Sequence, residues 1–185
     1  IEIRKKTFKI IDEKTNWKMQ IIIPAQANLR EFKLHFSNPN LTIKKFATTE
    51  LFYSSNTLNK VLFSTGYFGP FQGNVLIYSI YLSIWMKYKT IKIFGADLNF
   101  HNNITVNSRT NQLMIRHQHF FETDSFEPFL KNPEKVEPFT MTEFMHLTFK
   151  TFEAHKILSN YARSLNVKII NYSKFSLIDS YSRAQ

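Results

Sequence analysis

The residues best equipped for chemistry follow the most apolar part of the sequence. After the run Thr90-Ile91-Lys92-Ile93-Phe94 comes Gly95, and then a polar tail with Asp97, Asn99, His101, Asn102 and Asn103. The run reads as a short buried strand, β-branched and aromatic, that Gly95 ends. In open α/β sheets, ligands bind outside the carboxyl ends of the strands. Asp97, Asn99 and His101 are therefore candidates to line a ligand cleft. Gly95-Ala96-Asp97 also reads as a plain turn, with Asp97 capping backbone amides.

Histidines offer two further centres. His117 and His119 share a side if their segment is a strand. No carboxylate or third histidine stands at a companion spacing for a metal. A pair of half-exposed polar residues on an edge strand is the preferred reading, and neither metal nor cofactor is expected. His146 lies near the start of the longest helical pattern, just after a proline-rich stretch. A helix amino terminus disfavours a charged imidazolium, which keeps such a ring neutral near pH 7.

Three of the four glycines, Gly66, Gly69 and Gly73, precede the apolar stretch that begins at Asn74. A glycine-rich loop feeding a helix can cradle an anion. This one lacks the P-loop lysine and spacing, and it is not G-x-G-x-x-G, so a connector is the plainer reading.

The elements that must position these groups alternate. Helices are expected at Thr7 to Trp17, Ala25 to His35, Asn56 to Phe63, Asn74 to Met86, Thr140 to Leu165 and Phe175 to Tyr181. Strands are expected at Met19 to Ile23, Leu41 to Phe46, Thr90 to Phe94 and Val167 to Ile170. Thr142 is a candidate cap for the long helix, with Glu143 in its first turn. Phe126 to Pro138 holds Pro128, Pro133 and Pro138 and is expected to be a surface loop, the lid of the site. Such alternation predicts an α/β fold, a layered Rossmann-like domain with a largely parallel sheet flanked by helices.

The chain has 185 residues, 43% of them hydrophobic, with 19 Phe and no Cys. That is one ordinary domain with enough apolar mass for a core. Disulfides and thiolate metal sites are excluded. The longest apolar run, Val75 to Met86, is too short for a bilayer span of ~20 residues. No signal peptide is visible. The expected location is the cytoplasm, including the inner face of the membrane. The chain starts at Ile1 rather than Met, and we expect residues 1–185 to be a single domain forming the C-terminal part of a larger protein.

The net charge of +10 implies affinity for phosphates, nucleic acid or an anionic membrane surface. A nucleic-acid binder concentrates its charge on one face or arm. Here the lysines are spread, with Arg4-Lys5-Lys6 as one cluster, so nucleic acid is disfavoured as a partner.

Order and spacing add a resemblance over roughly residues 70–183. A helix from Asn74 leads to a strand ending in Gly95-Ala96-Asp97, and a variable loop with His119-Phe120-Phe121 follows. His146 then opens a long helix with the spacing His-x7-Ala-x3-Leu, met by His146, Ala154 and Leu158. Val167-Lys168-Ile169-Ile170-Asn171 and then Ser176-Leu177-Ile178-Asp179, with a short Asn- and Ser-containing turn, close the pattern. This resembles the C-terminal half of bacterial sialyltransferase-like glycosyltransferases. The group includes the Campylobacter lipooligosaccharide sialyltransferases and related surface-polysaccharide transferases.

The family's Gly-Asn-Gly-Pro-Ser nucleotide loop is absent, as in a chain that begins partway through. Gln72 and Asn74 stand where the family has an Arg before the central helix, and Asn99 and His101 where it has Tyr pairs.

The resemblance implies a metal-independent transfer from a nucleotide-sugar donor, of which CMP-linked sugars are the family's type, to a glycan acceptor. His146 would be the general base, since glycosyl transfer needs an acceptor hydroxyl deprotonated near neutral pH. Gln72, Asn74, Gly95, Asp97, Asn99, His101, His119 and Ser173 would hold the substrates. The alternatives are an α/β module that binds nucleotide or glycan without turnover and, more distantly, a basic nucleic-acid-binding domain.

Overall fold

A computed structural model describes residues 2–25, 27–46, 49–51, 56–116, 125–132 and 136–184. The fold is mixed α/β, with small and mostly parallel sheets and, among the described residues, no closed barrel. The chain divides into two compact units, Ile1–Leu51 with Thr57–Gly69, and Phe52–Asn56 with Pro70–Gln185.

The first unit runs α1 (Glu2–Lys14), β1 (Met19–Pro24), α2 (Leu29–Lys33), β2 (Leu41–Phe46), β3 (Thr49–Glu50), α3 (Asn56–Ser64) and β4 (Phe68–Gly69). β1 and β2 pair in parallel from Met19↔Leu41 to Pro24↔Phe46. The Asp12 carboxylate near the end of α1 accepts the Ser37 and Asn38 amides, both at 2.9 Å, and the Ser37 hydroxyl at 2.8 Å. These bonds, the Asn38 amide first, hold its carboxyl below the ordinary value. The expected helix from Ala25 to His35 shrinks to α2. Asn28, in extended conformation, accepts the amides of Arg30 and Glu31 and so fixes the helix start at Leu29. The glycine-rich connector contains β4, which pairs in parallel with β3.

The second unit carries α4 (Val75–Trp85), β5 (Thr90–Ile93), β6 (Ile104–Val106), β7 (Leu113–Arg116), β8 (Phe126–Pro128), β9 (Leu130–Asn132), β10 (Glu137–Pro138), α5 (Met141–Ser164), β11 (Lys168–Asn171) and β12 (Ser182–Arg183). The parallel sheet has the order β12-β11-β5, with β11 matched to β5 from Lys168↔Thr90 to Asn171↔Ile93. A second, antiparallel sheet has the order β6-β7-β8.

Both long helices are delimited by local chemistry. Asn74 caps α4, its side chain accepting the Ile77 amide at 2.9 Å. α5 is capped by Thr140 rather than Thr142, in a capping box closed by Glu143. Each helix runs out into a residue with positive φ, Lys87 (66°) after α4 and Asn166 (55°) after α5. Ile77, Ile80, Tyr81 and Ile84 of α4 are buried, as are Phe144, Ala154, Ile157, Leu158 and Tyr161 of α5. Phe149 of α5 is by contrast 63% exposed.

Two further expectations are corrected. The segment from Phe126 to Pro138 is not a loop throughout: β8, β9 and β10 lie in it, and Pro133 falls outside the described residues. Pro128 and Pro138 end their strands, where a missing amide hydrogen is tolerated. No helix forms from Phe175 to Tyr181. The Leu177 amide donates to the Asp97 carbonyl at 2.8 Å and the Ile178 amide to the Ser176 hydroxyl at 3.2 Å. Those donors are therefore spent on long-range and turn bonds instead of an i−4 ladder. Among the described residues no helix is long and apolar enough to cross a membrane.

Candidate functional site

The loops that follow β5 and β11 meet at the carboxyl end of the parallel sheet. The strands are in register, so Phe94 and Tyr172 leave them side by side, and the Tyr172 amide donates to the Ile93 carbonyl at 2.8 Å. One step further, the Ala96 amide donates to the Ser173 hydroxyl at 2.9 Å. Gly95 lies between them at φ 64°, a conformation that L side chains rarely adopt, so strain rather than lack of space demands glycine there.

Beneath this junction Asn171 is 1% exposed and fully engaged. Its Oδ1 accepts the Ser173 amide at 2.9 Å, and its Nδ2 donates to the Ser176 hydroxyl at 2.9 Å and to the Ile178 carbonyl at 3.4 Å. The Arg183 guanidinium donates to the Ser173 carbonyl at 2.7 Å and also to the Ser176 carbonyl. The turn after β11 is thus rigid and bonded to the loop after β5. Asn171 and Ser176 entered the sequence reading only through the resemblance, without a site role, and Arg183 not at all. Their signal is the spacing Asn-x-Ser-x-x-Ser after a strand, in which each short polar side chain can bond nearby backbone.

The helices bring their amino termini to this end of the unit. α5 leads into β11 and packs against it, and α4 leads into β5, so both run back along the sheet. Between them lies a cavity of ≈ 250 Å³ whose walls include Asn74, Leu98, Phe100, Phe144, Leu147 and Thr151. Aromatic and aliphatic side chains dominate it. The Thr148 and Thr151 hydroxyls that reach it are bonded back to the carbonyls of Phe144 and Leu147 at 2.9 Å. It therefore presents an apolar surface beside the polar loop. A larger cleft of ≈ 650 Å³ lies at the other end of α5, by Arg163, Asn166 and Lys168, away from the candidate residues.

Gly95, Asp97 and Ser173 are brought together: the Asp97 carbonyl holds Leu177, and its carboxylate is exposed. Asn74 lines the cavity, while Gln72 is half-buried in the loop before it. Asn99 is half-buried and starts a single 3-10 turn, Phe100–Asn103, on which His101 is exposed. His119, like His117, lies outside the described residues. His146 is exposed in the second turn of α5. At about 100° per residue it lies about 200° round the helix from Phe144. It therefore stands at the candidate end of the sheet but points away from the cavity.

The histidine that burial singles out is another one. His155 is 0% exposed, and its Nδ1 shares a 2.9 Å hydrogen bond with the Tyr181 hydroxyl. Its Nε2 is buried and has no hydrogen-bond partner among the described residues. Burial lowers its pKa to about 4 and raises that of Tyr181, so both are neutral at pH 7.

β9 and β10 pair antiparallel as a hairpin, and Lys131 of β9 anchors it to α5. Its ammonium meets Glu137 at 2.9 Å and Glu143 at 2.6 Å. The Lys131 bond, followed by those from Thr140, lowers the Glu143 pKa to about 2. Among the described residues no group of three His, Cys, Asp or Glu is placed to hold a metal ion.

No protein-family model, no curated protein and no solved structure matches this chain.

Proposed function

We propose that this chain is a nucleotide-sugar-dependent glycosyltransferase, or the C-terminal part of one, built on a Rossmann-like layered sheet and serving bacterial surface-glycan synthesis. One observation carries the reading. Two in-register parallel strands end in loops tied by the Ala96–Ser173 bond, at the end of the sheet where two helix amino termini converge. That is where α/β sheets bind ligands. Asp97 gives the junction an exposed polar group, His101 is exposed on the turn that follows, and the apolar cavity beside the junction suits the less polar part of a substrate. The donor phosphates would be met by cations and backbone amides. His146 is the assigned base, acting on an acceptor hydroxyl that arrives from solvent.

A second reading has its own observation. His146 points away from the cavity, as suits a module that binds nucleotide or glycan without turning it over. A thermal-shift screen of nucleotide sugars, nucleoside monophosphates and free glycans tests both. A ligand at 100 times its dissociation constant adds about 2.7 kcal/mol of stability. Stabilisation by a nucleotide sugar with release of its nucleotide supports the transferase, and stabilisation without release supports the module. No shift with any nucleotide sinks both nucleotide readings.

A further inference from the structure

Parallel sheets normally have both faces covered. Here α4 and α5 account for the face carrying Ile91, Ile93, Ile169 and Asn171, while the other face presents Lys92, Phe94, Lys168 and Tyr172, all exposed. The Phe94 and Tyr172 rings stack on each other with centroids 4.8 Å apart and planes 22° apart. Phe94 is 67% exposed and Tyr172 40%. The Lys92 ammonium stands 5.7 Å from the Tyr172 ring centre. No carboxylate lies on the exposed face of these two strands, and among the described residues neither Lys92 nor Lys168 is paired with an acid within 4.0 Å.

An exposed ring pair with unpaired cations fits a ligand that is flat at one end and anionic at the other. We propose that the Phe94–Tyr172 pair is a stacking platform for the base of a mononucleotide, whose phosphate is held by Lys92. The platform flanks Gly95 and Ser173, so this inference rests on the nucleotide reading of the same junction and names how the base is held. It adds a consequence. Stacking uses the ring face and reads no hydrogen-bonding edge, so the platform tolerates every base and favours purines for their larger face.

The test is titration of the whole chain with AMP, CMP, ribose 5-phosphate, inorganic phosphate and oligothymidylates of increasing length. AMP should bind at least as tightly as CMP, and both about ten-fold more tightly than ribose 5-phosphate or phosphate. Phe94→Leu, with an unchanged thermal midpoint, should weaken both nucleotides about ten-fold. Lys92→Gln, at an exposed position, should weaken them and flatten the salt dependence. Wild-type affinity in both variants overturns the platform while leaving the nucleotide reading intact. Marked preference for CMP over AMP overturns it as well. Affinity that climbs with oligonucleotide length would assign the face to single-stranded nucleic acid instead. If the wild type binds neither nucleotides nor nucleotide sugars, the functional reading fails together with the platform.

Discussion

The hydroxyl of Ser173 accepts the amide of Ala96 at 2.9 Å, a bond between residues 77 positions apart. It is the cross-link that makes one site of two loops. Ser173→Ala removes the acceptor and leaves a partly buried amide unpaired. The expected cost is about 1–2 kcal/mol in urea denaturation. Because the Gly95 loop is loosened as well, any nucleotide-induced thermal shift should shrink by more than the stability loss alone explains. An unchanged denaturation midpoint would show that the bond is dispensable.

His155 makes stability pH-dependent with a definite sign. Its folded pKa of about 4 lies below the ordinary 6.5, so the unfolded chain takes up the proton first as pH falls. The neutral ring's advantage is fully present above pH 6.5, declines below it, and is gone near pH 4. The gap corresponds to about 3 kcal/mol. Denaturation measured between pH 7 and 4 should show this slope, and His155→Phe should abolish it, whatever its effect at pH 7. A wild-type profile equally flat in that window would mean that the buried ring is already accessible to protons.

Much of the framework was legible because it is local. β1 and β2 follow from alternation and flanking turns, α4 from an apolar run without Gly or Pro, and β5 from the stop at Gly95. The junction was legible only in outline. Gly95, Asp97 and Ser173 were candidates by position, but what joins them spans most of the second unit and leaves no periodic trace. Phe175 to Tyr181 failed for the same reason. Its apolar spacing suits a short helix, yet the Asp97 carbonyl and the Asn171 and Arg183 side chains bind it in an irregular course. Thr140 and Thr142 are equally good caps by type. The bond to the Lys131–Glu143 pair decides between them, and that pair lies across a hairpin the prolines had concealed.

Lys131 and Glu143 predict how the hairpin answers to acid. The Glu143 carboxyl sits at about 2, below its ordinary 4.5, so its contribution is present above pH 4.5 and is lost as pH falls through about 2. Relative to the intrinsic exchange rate at each pH, the protection of amides in β9 and β10 should therefore fall over that window. Lys131→Met should lower that protection already at pH 7, with little change in the global midpoint because the pair is exposed. Exchange in the hairpin that is indifferent to both changes would show that something other than this ion pair docks it.

His146 is where the functional reading is most exposed to failure. The resemblance makes it the general base, and its spacing to Ala154 and Leu158 carries that assignment. The geometry puts it at the carboxyl end of the parallel sheet, exposed, on the side of α5 away from the cavity. An exposed surface side chain can be removed within about 0.5 kcal/mol. His146→Ala should thus keep the wild-type midpoint and the wild-type nucleotide shift. If the ring is the base, turnover in an active preparation falls by ~10²–10⁴, and the pH–rate profile loses its acidic limb. Those readouts separate a base from a structural residue, which would lower the midpoint instead. Full turnover in His146→Ala moves the proton acceptor elsewhere, and His101, exposed on the turn after Asn99, becomes the next imidazole to replace.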